Sequence, residues 1–131
     1  MRITKTDIEV KMQIPGATVR QHTGFGEAGA FGTMGAEFFS LAAGVDTTPL
    51  FQGLEGDLCQ CPHWGYVLQG RVTTTDAEGA RETVAAGDLF HWPAGHNVLV
   101  EEDAELIMFS PQKEHTTVID HMRSVVAGPS A

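Results

Sequence analysis

The segment Cys59-Gln60-Cys61-Pro62-His63 puts two thiols and an imidazole within five residues. Thiolate and imidazole together suit Zn²⁺, and less specifically Fe²⁺ or Cu. The three residues share odd parity, so an extended chain would turn all of them to one face. Two cysteines one residue apart make a poor disulfide, because relaxed geometry is out of reach at that spacing. Free thiols fit a reducing, cytoplasmic compartment. The plainer reading beside this one treats each cysteine as a small buried hydrophobe and His63 as an interior imidazole bonded to backbone. His91, between Phe90 and Trp92, reads first as packing. His22, His115 and His121 read as surface residues. No Ser-His-Asp set, phosphate loop or carboxylate pair stands out from spacing.

The elements that must position these groups are mostly strands. Ile8 to Met12 alternates apolar and polar, the period of a half-buried strand. A Gly-rich loop, Gly24 to Gly32, precedes a second strand candidate, Ala36 to Leu41. From residue 63 the pattern tightens. Strands are expected at His63–Leu68, Arg71–Thr75, Arg81–Val84, Leu89–Trp92, His96–Val100 and Ala104–Phe109. Gly70, Asp76–Gly79, Ala86–Asp88, Pro93–Gly95 and Glu101–Asp103 supply the turns between them. Strands about 8–12 residues apart with Gly/Pro punctuation indicate an antiparallel barrel or sandwich. Val118, Ile119, Met122 and Val126 recur at helical spacing, and Ser110 before Pro111 reads as a helix start. The last residues, 128–131, read as a frayed end.

The 131 residues suit a single domain spanning 1–131. Eight Lys+Arg against 17 Asp+Glu give a net charge of −9, which disfavours nucleic acid and anionic membrane as partners. No window approaches the roughly 18 apolar residues of a spanning helix, and the N-terminus lacks the apolar stretch of a signal peptide. A soluble, cytoplasmic protein is expected.

Two segments resemble the paired motifs of the cupin superfamily. Gly87-Asp88, Pro93 and Gly95 match its second motif, Gly-x5-Pro-x-Gly, and Tyr66-Val67-Leu68-Gln69-Gly70 resembles the end of its first. The 16 residues from Arg71 to Ala86 form the intermotif hairpin, and the resemblance covers about residues 53–110. It implies an all-β fold, an antiparallel double-stranded β-helix (jelly roll), here with a short C-terminal helix. It also implies a metal or ligand site inside the barrel, and a homodimer paired through a sheet edge.

The usual three-His, one-Glu metal set does not carry over. His63 stands where the family has Glu, Asp57 and Cys59 stand at its first two His positions, and Val98 stands at its last. His96 shares parity with Val98, about 6–7 Å earlier along the strand. A displaced cluster of Cys59, Cys61, His63 and His96 follows, for a divalent cation, Zn²⁺ before Fe²⁺. Tyr66, His91 and Val98 are candidates to line the pocket. Two functions follow from the resemblance. One is a metal-binding, small-molecule cupin acting as an oxygenase or isomerase. The other is a non-catalytic small-molecule or sensor barrel with a structural metal or none.

Overall fold

The computed structural model describes residues 1–128, so the expected frayed end lies, beyond Gly128, outside the described residues. Seven strands are described: β1 (Val10–Ile14), β2 (Ala17–His22), β3 (Met34–Leu41), β4 (His63–Asp76), β5 (Arg81–Ala85), β6 (Leu89–Trp92) and β7 (His96–Pro111). A one-turn helix, α1 (Thr48–Phe51), precedes β4, and α2 (Gln112–Ala127) follows β7. The sheet runs β1-β2-β3-β7-β4-β5, with β6 also on β4, and every pairing is antiparallel.

Two of the expected turns are bulges instead. Neither Gly70 nor Glu101–Asp103 reverses the chain; β4 and β7 run through them and pair along nearly their whole length, with register shifts between Val67 and Val72. Gly70 takes φ +84°, and a Cβ there would lie 2.1 Å from the carbonyl oxygen of Asp103. The residue types that would serve a hairpin here let two backbones cross closely. A bulge bends both strands at one point. The N-terminal half of β4 therefore pairs with β6 and the end of β7, and its C-terminal half with β5 and the start of β7. That is how two long strands contribute to both leaves of a jelly roll.

β2 is the strand that periodicity did not single out. Ala17, Val19 and Gln21 point inward, and the polar Gln21 at one inward position blurs the alternation. The core splits in two. Val67, Val72, Val100, Leu106 and Met108 fill the sheet interior, while Val118, Ile119 and Met122 of α2 pack on Met12, Val19 and Phe51. The helical spacing thus marks a buried stripe, although Val126 is exposed. Ser110 does not cap α2, which starts after Pro111 without a side-chain cap. Its hydroxyl is used inside the barrel. No helix is long and apolar enough to cross a membrane.

Candidate metal centre

Two strand starts and a bridging segment meet at one end of the barrel. His63 opens β4 and pairs with Trp92 on β6. His96 opens β7 and forms an antiparallel bridge with Cys59, whose N–H donates to the His96 carbonyl at 2.9 Å. The bridge holds Cys59 opposite His96, while four residues of chain return to His63. Cys59 Sγ lies 3.6 Å from His63 Nε2, and the His63 and His96 rings are 5.2 Å apart. One donor atom from each of the three falls within 4.8 Å of the others. All three side chains are buried.

The donor set fits a tetrahedral cation. Bond lengths of about 2.3 Å to sulfur and 2.0–2.1 Å to nitrogen put the S···N edge of a tetrahedron at about 3.5 Å. Protonation also fits. His96 donates from Nδ1 to the Pro93 carbonyl at 2.8 Å, which leaves its Nε2 lone pair free. His63 Nδ1 faces Ser110 Oγ at 2.6 Å, and that hydroxyl donates to Glu37 Oε1 at 2.6 Å. Ser110 then accepts from His63 Nδ1–H, so the Nε2 lone pair faces the thiol. Burial pushes the Cys59 thiol up to about 12, with the nearby Glu37 carboxyl adding to the rise against a backbone bond at Cys61. A bound cation would displace that proton, as metals do from coordinating thiols.

Cys61 is not brought into this cluster. The chain bends at Cys61 instead of staying extended, so the parity argument fails there. Its Sγ sits 3.3 Å from the Pro62 carbonyl and 3.9 Å from that of Pro111, and burial raises its thiol strongly. Of the three residues read as lining a pocket, Val98 lines the interior cavity, while His91 lines only an open depression on the outside. Tyr66 and His91 face outward, for a simple reason of register. His63 and Trp92 point inward as a pair, so their neighbours Trp64 and His91 point out, stacked at 4.8 Å, and Tyr66 follows two residues later.

Sequence reasoning missed a second set of buried polar groups. His115, read above as a surface residue, is buried on α2, where its Nδ1 bonds Glu37 Oε2 on β3. Gln21 Nε2 adds a long contact to the same oxygen at 3.4 Å. The His115 ring lies 4.3 Å from that of His63 and stacks on Phe39. Glu37, His63 and His115 form a second group with donor atoms within 4.8 Å, so His63 belongs to both. Beside these residues is a cavity of about 50 Å³, with Leu106, Met108 and Val98 among its apolar walls.

Comparison with family models gives no match, and comparison with curated proteins gives none. Solved structures do match. An RmlC-like protein from Shewanella frigidimarina, itself described as a cupin, is 16% identical with a TM-score of 0.56, over 87% of this chain and 93% of that one. The chain has the cupin fold. The polyketide cyclase RemF from Streptomyces resistomycificus is 18% identical, TM-score 0.56, over 85% of this chain and 78% of its own. The oxalate decarboxylase of Bacillus subtilis, described with Mn(II) centres, is 22% identical, TM-score 0.56, over 84% of this chain. This chain spans only 29% of that decarboxylase.

Within this cupin barrel the two cluster histidines have a measurable cost in acid. Burial lowers His63 well below the ordinary value of 6.5, helped by His115 and His96. Burial also lowers His96, against the bond to Pro93. Both stay neutral in the fold while the unfolded chain's imidazoles take up protons below about 6.5. The unfolded state then binds more protons, so stability falls as pH drops, by up to about 1.4 kcal/mol per pH unit per histidine. Urea unfolding of the metal-free chain is expected to give a lower stability at pH 5.5 than at 7.5. Equal values would contradict the buried, neutral histidines.

Proposed function

We propose that this chain is a metal-binding, small-molecule cupin in which Cys59, His63 and His96 hold one divalent cation, Zn²⁺ in preference to Fe²⁺. The observation that carries this reading is the 3.6 Å separation of a buried thiol and a buried imidazole whose tautomer leaves the facing nitrogen unprotonated. Three protein donors leave a fourth position for a ligand, the pattern of catalytic rather than structural zinc. A cation held there would polarise a ligand oxygen as a Lewis acid. The residues around it do the rest: Ser110 and Pro93 orient the imidazoles, and the apolar walls keep bulk water out. The metal enzymes and the cyclase among proteins of this fold support an oxygenase- or isomerase-like role. Elemental analysis and chelator competition at pH 7.5 test the reading. One Zn²⁺ per chain with an exchangeable water is expected. A chain that takes up no divalent metal would leave the non-catalytic small-molecule barrel as the better description.

The partners proposed are a small molecule and a second copy of the chain. Trp64, Tyr66, Leu68, Leu89 and Phe109 are exposed together on the outer face of β4, β6 and β7, with Leu89 83% exposed. These side chains leave roughly 500 Å² of apolar surface open, close to the apolar share of one side of a standard interface. None of the five is charged, which suits self-association of a chain carrying −9. Pairing through this face, rather than through an edge, is expected to give twice the chain mass by sedimentation, and Leu89→Asp to give the monomer. A wild-type monomer at 0.1 mM would refute it. The acidic surface argues against nucleic acid, and the two free cysteines favour a reducing compartment such as the cytoplasm.

A further inference from the structure

Resting on the metal reading above, we infer that Trp92 is the residue that orients the ligand. The ligand class is a two- or three-carbon carbonyl compound whose oxygen accepts the indole N–H. Trp92 is 3% exposed, and its Nε1 is, among the described residues, the one buried side-chain nitrogen or oxygen without a hydrogen-bond partner. Buried donors are almost always satisfied, so one left open beside a cavity asks for a partner from outside the chain.

The position of the ring supports this. Its centroid is 6.2 Å from that of His63 and 5.7 Å from that of His96, and it stacks on Phe90 at 4.3 Å. Trp92 and His96 line the enclosed cavity, and both also line an open depression on the outside with Thr74, Arg81 and His91. They therefore form the wall between solvent and the interior. An indole only donates, so the ligand atom that meets it is an acceptor. Once a cation occupies the lone pairs of His63 and His96, those rings offer the ligand no acceptor or donor, and the unpartnered Trp92 N–H remains as a donor on the cavity wall, which the His115 ring also lines.

Size and polarity fix the remainder of the class. A cavity of about 50 Å³ is small, with room for only a few non-hydrogen atoms. Val98, Leu106 and Met108 offer those atoms only apolar contact. A short carbon body with one oxygen function matches both limits. Acetone and acetate are the neutral and anionic members of that class.

The two tryptophans give two indole N–H signals in a proton–nitrogen correlation spectrum, and Trp64→Phe assigns them. Zinc-loaded protein would be titrated with acetone, with acetate, and with isobutene, which has acetone's shape without the oxygen. The Trp92 indole proton is expected to move downfield with an oxygen probe and to stay in place with isobutene. Acetone acting alone would specify a neutral carbonyl, and acetate acting alone a carboxylate. Trp92→Phe is expected to weaken binding of the active probe about tenfold, the effect of one hydrogen bond. An indole signal unmoved by both oxygen probes, or moved equally by isobutene, would overturn the inference whether or not the variant folds. Metal content measured on the same samples keeps the two readings apart. A chain without metal fails the metal reading alone, and the probe shifts in that metal-free chain still judge the indole donor.

Discussion

Replacing His63 by alanine is expected to abolish stoichiometric zinc binding. His63 is the one residue shared by the two donor groups found among the described residues. Its loss leaves Cys59 and His96 as a two-donor site, and Glu37 and His115 as another. Zinc binding to four-ligand structural sites amounts to about 10–16 kcal/mol, or roughly 2.5–4 kcal/mol per ligand. Removing one ligand should therefore weaken binding by about 10²- to 10³-fold. Competition against a chromophoric chelator measures this directly. His91→Ala serves as the matched control, because that ring lies outside the barrel against Trp64 and should leave affinity unaltered. A His63→Ala protein that holds zinc as tightly as the parent would remove the cluster from consideration.

Glu37→Ala is expected to be the most destabilising single substitution among the polar residues. The carboxyl group accepts from Ser110 Oγ, from His115 Nδ1 and, at longer range, from Gln21 Nε2, all buried. Its removal orphans those donors and leaves a void between β3 and α2. Each unsatisfied buried donor costs about 1–3 kcal/mol, and with the Gln21 contact already long the lower part of that range, a total of about 3–5 kcal/mol, is expected. For a domain of this size that is a fall in melting temperature of about 10–20 °C. Glu37→Gln fills the void and retains an acceptor for Ser110, so a smaller loss is expected. Thermal unfolding followed by circular dichroism separates the cases. An alanine variant that melts within 2 °C or so of the parent would mean the network contributes little.

The chain's own pattern made part of this site legible. Gly87, Pro93 and Gly95 place β6 and the start of β7, and Cys59, His63 and His96 then fall near one another without any knowledge of the bulges. Cys61 was misjudged because parity holds only in extended chain, and Pro62 follows a bend. Tyr66 and His91 were misjudged because their facing depends on which of two adjacent residues turns inward, and a run such as Phe90-His91-Trp92 is apolar or aromatic throughout. Glu37 and His115 carried a signal that went unread. Glu37 shares its strand face with Phe39 and Leu41, where an acidic residue is out of place. His115 stands three, four and seven residues before Val118, Ile119 and Met122, on the stripe that α2 buries. The contact between them joins residues 78 apart in sequence, and no local pattern encodes it.

That separation sets an order of events during synthesis. β3 leaves the ribosome long before α2, so for many tens of residues the Glu37 carboxyl has no helix to meet. The barrel strands are free to pair in that interval, but a sheet closed at this end would trap the carboxyl without its imidazole. The inner end of the barrel is therefore the region expected to close last, when the helix arrives to supply His115. Ser110, at the junction of β7 and the helix, joins that late step directly to the orientation of His63. A nascent chain cut before residue 112 should hold its strands and all three donors, Cys59, His63 and His96, and still lack the His115 that meets Glu37.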